Sequence, residues 1–148
     1  MNLLGLMEVS GSALQAERIR AEVVAANMAN AETTRTPEGG PYRRQEVVFS
    51  SQAPSEGFAS RLSSAAGATD PPIGGVRVSA VVSDPGEPLR RYDPGNPDAD
   101  KNGYVAYPDI NPLTEMVDLM GATRAYGLNS SAVQAEKGMV SAALDILK

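Results

Sequence analysis

The chain has 148 residues, a formal net charge of -5 at pH 7, no histidine and no cysteine. This length fits one domain, and the two missing residue types exclude imidazole or thiol catalysis, zinc centres built from those side chains, and disulfides. The negative charge disfavours binding to nucleic acid, so composition favours neither an enzyme with a small-molecule substrate nor a nucleic-acid-binding protein.

The first element predicted is a long helix over residues 2–30. Its opening stretch is apolar but lacks the basic residues of a secretion signal, and Glu8 interrupts it, so we expect no cleavable signal peptide. No window of the chain is apolar for long enough to span a membrane. Apolar residues recur at helical spacing and predict a helix on the order of 40 Å long. The main stripe consists of Val9, Ala13, Ala16, Ile19, Val23 and Ala26.

The end of this helix carries two asparagines, Asn27 and Asn30. Asn30 has a simple interpretation, because asparagine tolerates the left-handed conformation that closes many helices before a loop. Asn27 lies one turn earlier on an otherwise apolar face, and a left-handed helix end does not explain a polar residue there. A polar residue in a helix seam selects register and partner, so we interpret Asn27 as such a residue.

A strand-rich insert is predicted next. Residues 42–49 follow a Gly-Gly-Pro turn signal, residues 76–82 alternate apolar with polar positions, and residues 104–107 form a short third candidate. Residues 50–75 are rich in serine, alanine, glycine and proline, which predicts a flexible excursion. Residues 84–103 contain several prolines and are predicted to form a connection between strands. Arginines in the 42–44 segment and at 90–91 are interpreted as solvated strand edges.

The segment from Asp98 to Asp109 has the acidic spacing of a calcium loop. Pro97 and Pro108 forbid the flanking helices of such a site, and Asp109 is shorter than the usual bidentate glutamate. A polar hairpin turn ending in Asn102-Gly103 explains the same residues. We therefore expect neither a metal site nor a cofactor.

A second long helix is predicted over residues 111–148, with Asn111 as N-cap, Pro112 at the first helical position and Glu115 in the first turn. It would run on the order of 50 Å. Residues at alternating steps of three and four form a heptad-like seam with polar interruptions. The apolar and aromatic members of this seam are Met116, Leu119, Tyr126, Val133, Val140, Leu144 and Leu147.

These elements predict an α+β fold in which two long terminal helices pack as a coiled-coil-like pair around a small β-rich insert. The expected parts are residues 1–34, 35–110 and 111–148. Interior glycines weaken both helices by roughly 0.8 to 1 kcal/mol each, and a chain this short cannot cover both apolar faces by itself. The helices are therefore expected to need partners.

Several motifs resemble the bacterial flagellar basal-body rod proteins, and among them the proximal rod proteins of the C type. The resemblance covers nearly the whole chain. The segment 27–34 resembles the wider class of flagellar axial proteins. The segments 92–100 and 103–112 are the part of the resemblance that is specific for the C-type rod proteins. Further matching segments are residues 12–18, 39–44, 47–49, 76–84 and 124–126.

The resemblance implies a non-catalytic structural subunit that is exported unfolded through the flagellar export apparatus and folds in the periplasm-spanning rod. Its partners would be copies of itself and other flagellar rod proteins. Two alternatives stay open, a cytosolic coiled-coil adaptor and a secreted calcium-binding module. The residues expected at subunit interfaces are Asn27, Asn30, Thr33, Met116, Leu119, Tyr126, Val133, Leu144 and Leu147.

Overall fold

The computed structural model describes residues 3–52 and 74–146. It confirms an α+β chain with one helix at each end and two small antiparallel sheets between them. The predicted excursion lies almost wholly outside the described residues. The elements in chain order are α1 (Leu3–Ala29), β1 (Gln45–Gln52), β2 (Gly75–Ser83), β3 (Leu89–Tyr92), β4 (Tyr104–Tyr107) and α2 (Pro112–Ile146).

The two helices lie antiparallel along each other. Near the end of α1, Arg20 donates a hydrogen bond of 3.4 Å to Asp118 at the start of α2, and contacts continue toward the start of α1 as α2 proceeds. The predicted N-cap of α2 is confirmed, since Asn111 Oδ1 accepts the Leu113 amide at 3.0 Å. At the end of α1 the expected left-handed asparagine is wrong: Asn30 has a negative φ, and its side chain donates to Ala26 O at 2.9 Å.

Strands β1 and β2 form a ribbon that runs back along α1. The ribbon is tied to α1 at both ends, by Asn27 beside Gln45 and by Ser12, whose Oγ accepts the Val76 amide at 3.1 Å. About 22 Å of helix separates Ser12 from Asn27, and β1 spans about 23 Å, so the two lengths match. Gly75 allows the close approach, because a Cβ there would lie 2.6 Å from Ser12 Oγ.

Strands β3 and β4 form a hairpin in which β3 is new relative to the sequence prediction. Its turn is the predicted Asn102-Gly103 turn, with Gly103 at φ +81. Asp100 Oδ1 accepts the amides of Asn102 at 2.7 Å and Tyr104 at 3.0 Å. These contacts make the aspartate-rich segment a hairpin. Within residues 3–52 and 74–146, no group of three or more acidic side chains could hold a metal ion.

The buried apolar set of the described chain is small: Ala16, Val24, Val105, Ile110 and Ala122. Four polar residues are buried with them, namely Ser10, Asn27, Glu115 and Glu136. Among the described elements, α2 packs only against α1. Most of the surface of α2 is therefore not covered by another described element. None of the described helices is long and apolar enough to cross a membrane.

Candidate functional site: the helix junction and the exposed helix faces

Asn27 sits where α1, β1 and α2 meet, and it is 0% exposed. Its amide nitrogen donates to Gln45 O at 2.9 Å and to Glu115 Oε2 at 3.1 Å. Its amide oxygen accepts the Gln45 amide at 2.9 Å and the Tyr42 hydroxyl at 3.2 Å. An asparagine has two donors and two acceptor lone pairs, so all of its hydrogen-bonding capacity is used within the chain.

Glu115 is the charged centre of this junction and is also 0% exposed. Arg44 Nε donates to Glu115 Oε1 at 2.7 Å, and Arg44 also pairs with Glu46 and approaches Asp118 Oδ2 at 3.8 Å. A buried carboxylate is tolerated only when it is paired and hydrogen-bonded. Asn27 and Arg44 together meet that condition, and they join the two helices to the start of the ribbon.

The junction also shifts the pKa of two of its members, Arg44 and Tyr42, upward. The hydrogen bond to Glu115 raises the pKa of Arg44 above its usual value, so the guanidinium stays charged. Burial raises the pKa of the Tyr42 hydroxyl, and the negative charge of Glu115 raises it further. Both effects favour the protonated hydroxyl, which is the form that donates to Asn27.

Sequence reasoning missed two members of this junction. Arg44 was expected at a solvated strand edge, which is wrong, since only 23% of its side chain is exposed. Glu115 was expected to act on the helix macrodipole, and its burial was not foreseen. Their link joins positions 71 residues apart, so no local spacing signals it. The one available signal was Asn27, a polar residue on an apolar stripe.

Asn30 and Thr33 extend the junction beyond the end of α1. Thr33 Oγ1 donates to Asn30 Oδ1 at 3.1 Å, and Thr33 O accepts the Tyr42 amide at 3.0 Å. Both residues are half-buried. The structure thus brings three of the sequence-predicted site residues, Asn27, Asn30 and Thr33, into one cluster.

The predicted seam residues of α2 do not form a comparable cluster, because they are spread along the helix. Met116, Tyr126 and Leu144 are exposed, and Leu119 and Val133 are half-buried. Leu147 lies outside the described residues. The seam therefore runs along the border between the side of α2 that meets α1 and its open side.

A second row of apolar residues, which we call the outer stripe, covers the open side of α2. Its first three members lie about half a turn from buried Ala122 and its last three about a third of a turn from it, so all six lie off the side of α2 that meets α1. Leu113 is 70%, Leu128 73% and Ile146 84% exposed. The outer stripe consists of Leu113, Val117, Met120, Leu128, Met139 and Ile146. Several exposed apolar side chains on one side of a helix make that side a candidate for contact with another protein.

Comparison with known proteins agrees with this geometry. Residues 7–35 match the family described as "Flagella basal body rod protein", and residues 101–146 match "Flagellar basal body rod FlgEFG protein C-terminal". These two matches cover α1 with its junction and the β4–α2 region.

Curated relatives extend the similarity to nearly the whole chain. The flagellar basal-body rod protein FlgC of Borreliella burgdorferi is 39% identical over 153 residues, covering 100% of this chain and 99% of the relative. The FlgC protein of Bacillus subtilis is 44% identical and covers 96% of both chains. That of Salmonella typhimurium is 37% identical and covers 95% of this chain and 94% of the relative. The chain therefore belongs to the FlgC family of flagellar basal-body rod proteins and is a structural subunit of the basal-body rod.

Proposed function

We propose that this subunit enters the proximal rod by packing its terminal helices against helices of neighbouring subunits. The observation that carries the proposal is the outer stripe, a set of exposed apolar side chains on a helix that has only α1 beside it among the described elements. Covering these side chains by a neighbour would stabilise the assembly by roughly 25 cal/mol for each Å² of apolar surface removed from water. Its role is structural, without catalysis.

The border position of the seam supports a coiled-coil-like arrangement between subunits. Met116, Tyr126 and Leu144 are open to a neighbour, whereas half-buried Leu119 and Val133 can touch α1 and a neighbour at once. We assign Leu147 to the same interface by its spacing. Asn27, Asn30 and Thr33 contribute by holding α1, β1 and α2 in one arrangement, so that the faces offered to neighbours are fixed.

The proposed contacts are heterologous, because the helix faces of one copy meet different faces of the next. Contacts of this kind that do not close into a ring generate a helical tube. In such a tube the terminal parts, residues 1–34 and 111–148, form the packed layer, and the insert over residues 35–110 lies outside it. Continuous helix packing would then transmit torque along the rod.

The small buried core supports an export step before assembly. Few apolar residues are buried in the part of the chain that the structure describes, so we infer that the chain can stay unfolded at low cost until neighbours complete its packing. We propose that the chain passes the flagellar export apparatus in this form and folds in the part of the rod that spans the periplasm.

Leu144→Asp tests the packing step. Leu144 is 58% exposed in the single chain, so the change should leave the fold intact and desolvate a carboxylate only on assembly. We expect export to continue while the chain disappears from purified basal bodies and motility is lost. Leu89→Asp is the matched control, since Leu89 is a 52% exposed leucine on the hairpin. Normal motility with Leu144→Asp would refute the packing step.

A further inference from the structure

The ribbon of β1 and β2 packs on a single helix of its own chain. Both strands contact α1, and neither contacts α2 among the described elements. Val47, Val76 and Val78 are half-buried, whereas the residue that follows each of them is exposed. Because successive side chains of a strand point to opposite faces, the ribbon has one face toward α1 and one toward solvent. The ribbon therefore covers one side of α1 within the single chain.

The two ends of the ribbon are held on α1 by polar side chains of the helix. At the end near the junction, the Asn27 side chain bonds both the carbonyl and the amide of Gln45. At the far end, Ser12 Oγ accepts the Val76 amide at 3.1 Å and donates to Val9 O at 2.7 Å. Ser12 thus fixes the far end of the ribbon to the first half of α1.

Gly75 brings the strand close enough to Ser12 for this hydrogen bond. A Cβ at position 75 would lie 2.6 Å from Ser12 Oγ and 3.1 Å from Ser12 Cβ, so any other residue would displace the strand or the Ser12 side chain. At Gly11, the neighbour of Ser12 in α1, an added Cβ would meet no such contact within 4 Å. We call the contact of Ser12 with Gly75 and Val76 the clasp.

The length of the ribbon fits this part of α1 only when it is helical. Residues 12 and 27, which hold the two ends of the ribbon, lie about 22 Å apart along a helix. In an extended chain they would lie roughly 50 Å apart, whereas β1 spans about 23 Å. A closed clasp therefore holds residues 12–27 in their helical form.

We propose that the ribbon is a strap that stays closed on the α1 of its own chain in the assembled rod, held by the clasp. This inference rests on the proposed rod function and deepens it by assigning the surfaces of α1. The strap and α2 each cover a side of α1 within the subunit, so neighbours meet this helix only on its remaining surface. The outer stripe of α2 is not covered in this way and remains open to neighbouring helices.

A pair of cysteines tests the strap in the rod. The chain has no cysteine, so Ser12→Cys with Gly75→Cys places one thiol on each side of the clasp. The Cβ separation of 3.1 Å is a few tenths short of the usual separation in a disulfide, about 3.5 to 4.5 Å, so a small shift of the strand suffices. Basal bodies are purified from cells that produce this variant together with the natural chain, treated with a mild oxidant, and analysed by non-reducing electrophoresis and peptide mass spectrometry.

We expect a disulfide within one chain. Ser131→Cys with Gly75→Cys is the matched control, because Ser131 is an exposed serine on α2, which the ribbon does not contact in the described part of the chain. This control should form no disulfide within one chain.

Gly75→Ala tests whether the rod needs the clasp. In cells that produce only the variant chain, we expect this change to lower the amount of chain in purified basal bodies by about fivefold or more, because its methyl group displaces the clasp. Gly11→Ala adds the same methyl group beside Ser12 where there is space for it, and the amount should stay within about twofold of the natural chain.

Three results would overturn this inference and leave the rod function in place. Free thiols at both positions in oxidised basal bodies would mean that the ribbon leaves α1 in the rod. A disulfide between two chains would mean that the ribbon closes on the α1 of a neighbour. Equal amounts of the Gly75→Ala variant and the natural chain would mean that the rod does not need the clasp. If the natural chain is missing from basal bodies, the rod function itself fails.

Discussion

Asn27 stabilises the chain only because each of its polar groups has a partner. Its four hydrogen bonds reach three different segments: the Tyr42 side chain, the Gln45 backbone and the Glu115 carboxylate. Removing the amide would leave the buried Glu115 carboxylate and the half-buried Tyr42 and Gln45 groups without these partners, and an unsatisfied buried group costs more than a hydrogen bond gains. The residue thus specifies how three elements meet.

We expect Asn27→Ala to lower the free energy of unfolding by about 2 to 4 kcal/mol. Thermal melting at one fixed, high protein concentration, followed by circular dichroism, measures the change. Asn129→Ala is the control, since Asn129 is a half-buried asparagine whose side chain, among the residues that the structure describes, bonds only to Ala125 O of its own helix. It should cost less than about 1 kcal/mol. Equal effects of the two changes would refute the special role of Asn27.

The Arg44–Glu115 pair should show a coupling that surface pairs lack. In a double-mutant cycle with Arg44→Gln and Glu115→Gln, we expect a coupling free energy of about 2 kcal/mol, because Glu115 is desolvated. The exposed pair of Arg18 and Glu22, at 2.9 Å on α1, should give about 0.3 to 0.5 kcal/mol in the same experiment. A coupling at the junction no larger than that of the surface pair would contradict the account.

At the scale of elements, local pattern predicted both helices and the strands that alternate over several residues. The helix cap at Asn111 and the turn at Gly103 follow from single residues with a strong local preference, and both are present. Strand β3 was missed because it has four residues, all exposed, and follows prolines. Its pairing depends on β4 and on the ring contact between Tyr92 and Tyr104, which sequence spacing does not reveal.

The β3–β4 hairpin should loosen in acid. Backbone amides, first that of Tyr104 and then that of Asn102, hold the pKa of Asp100 below its ordinary value of 3.8. A lowered pKa means that the folded hairpin favours the carboxylate, so this stabilisation is complete above pH 3.8 and is lost as the pH falls through the folded value.

Amide hydrogen exchange at Asn102 and Tyr104 measures this loss. We expect their protection to fall on acidification relative to other amides of the chain. Asp100→Asn is the control, because asparagine keeps the acceptor oxygen without a titrating group, and its protection should not depend on pH in that range. Protection that is equally independent of pH in the natural chain would exclude Asp100 as the cause.

For the whole molecule, the sequence predicted that the helices need partners but not which surfaces would receive them. The heptad seam was predicted from spacing alone, and it lies on the border between α1 and solvent. The sequence did not single out the outer stripe, because its exposure can be recognised only once the position of α1 against α2 is known. Packing between elements, which pattern does not encode, decides which apolar row stays open.

Protection of the outer stripe in the assembled rod tests the central claim most directly. With Leu128→Cys as the only cysteine, maleimide labelling should be fast in the free chain, where Leu128 is 73% exposed. Lys101→Cys on the hairpin turn reports any general change in reactivity. We expect labelling at position 128 to slow by about tenfold or more in isolated basal bodies, because a neighbouring helix would cover the stripe. Equally fast labelling in the free chain and in the rod would contradict the claim that the chain assembles through this helix face.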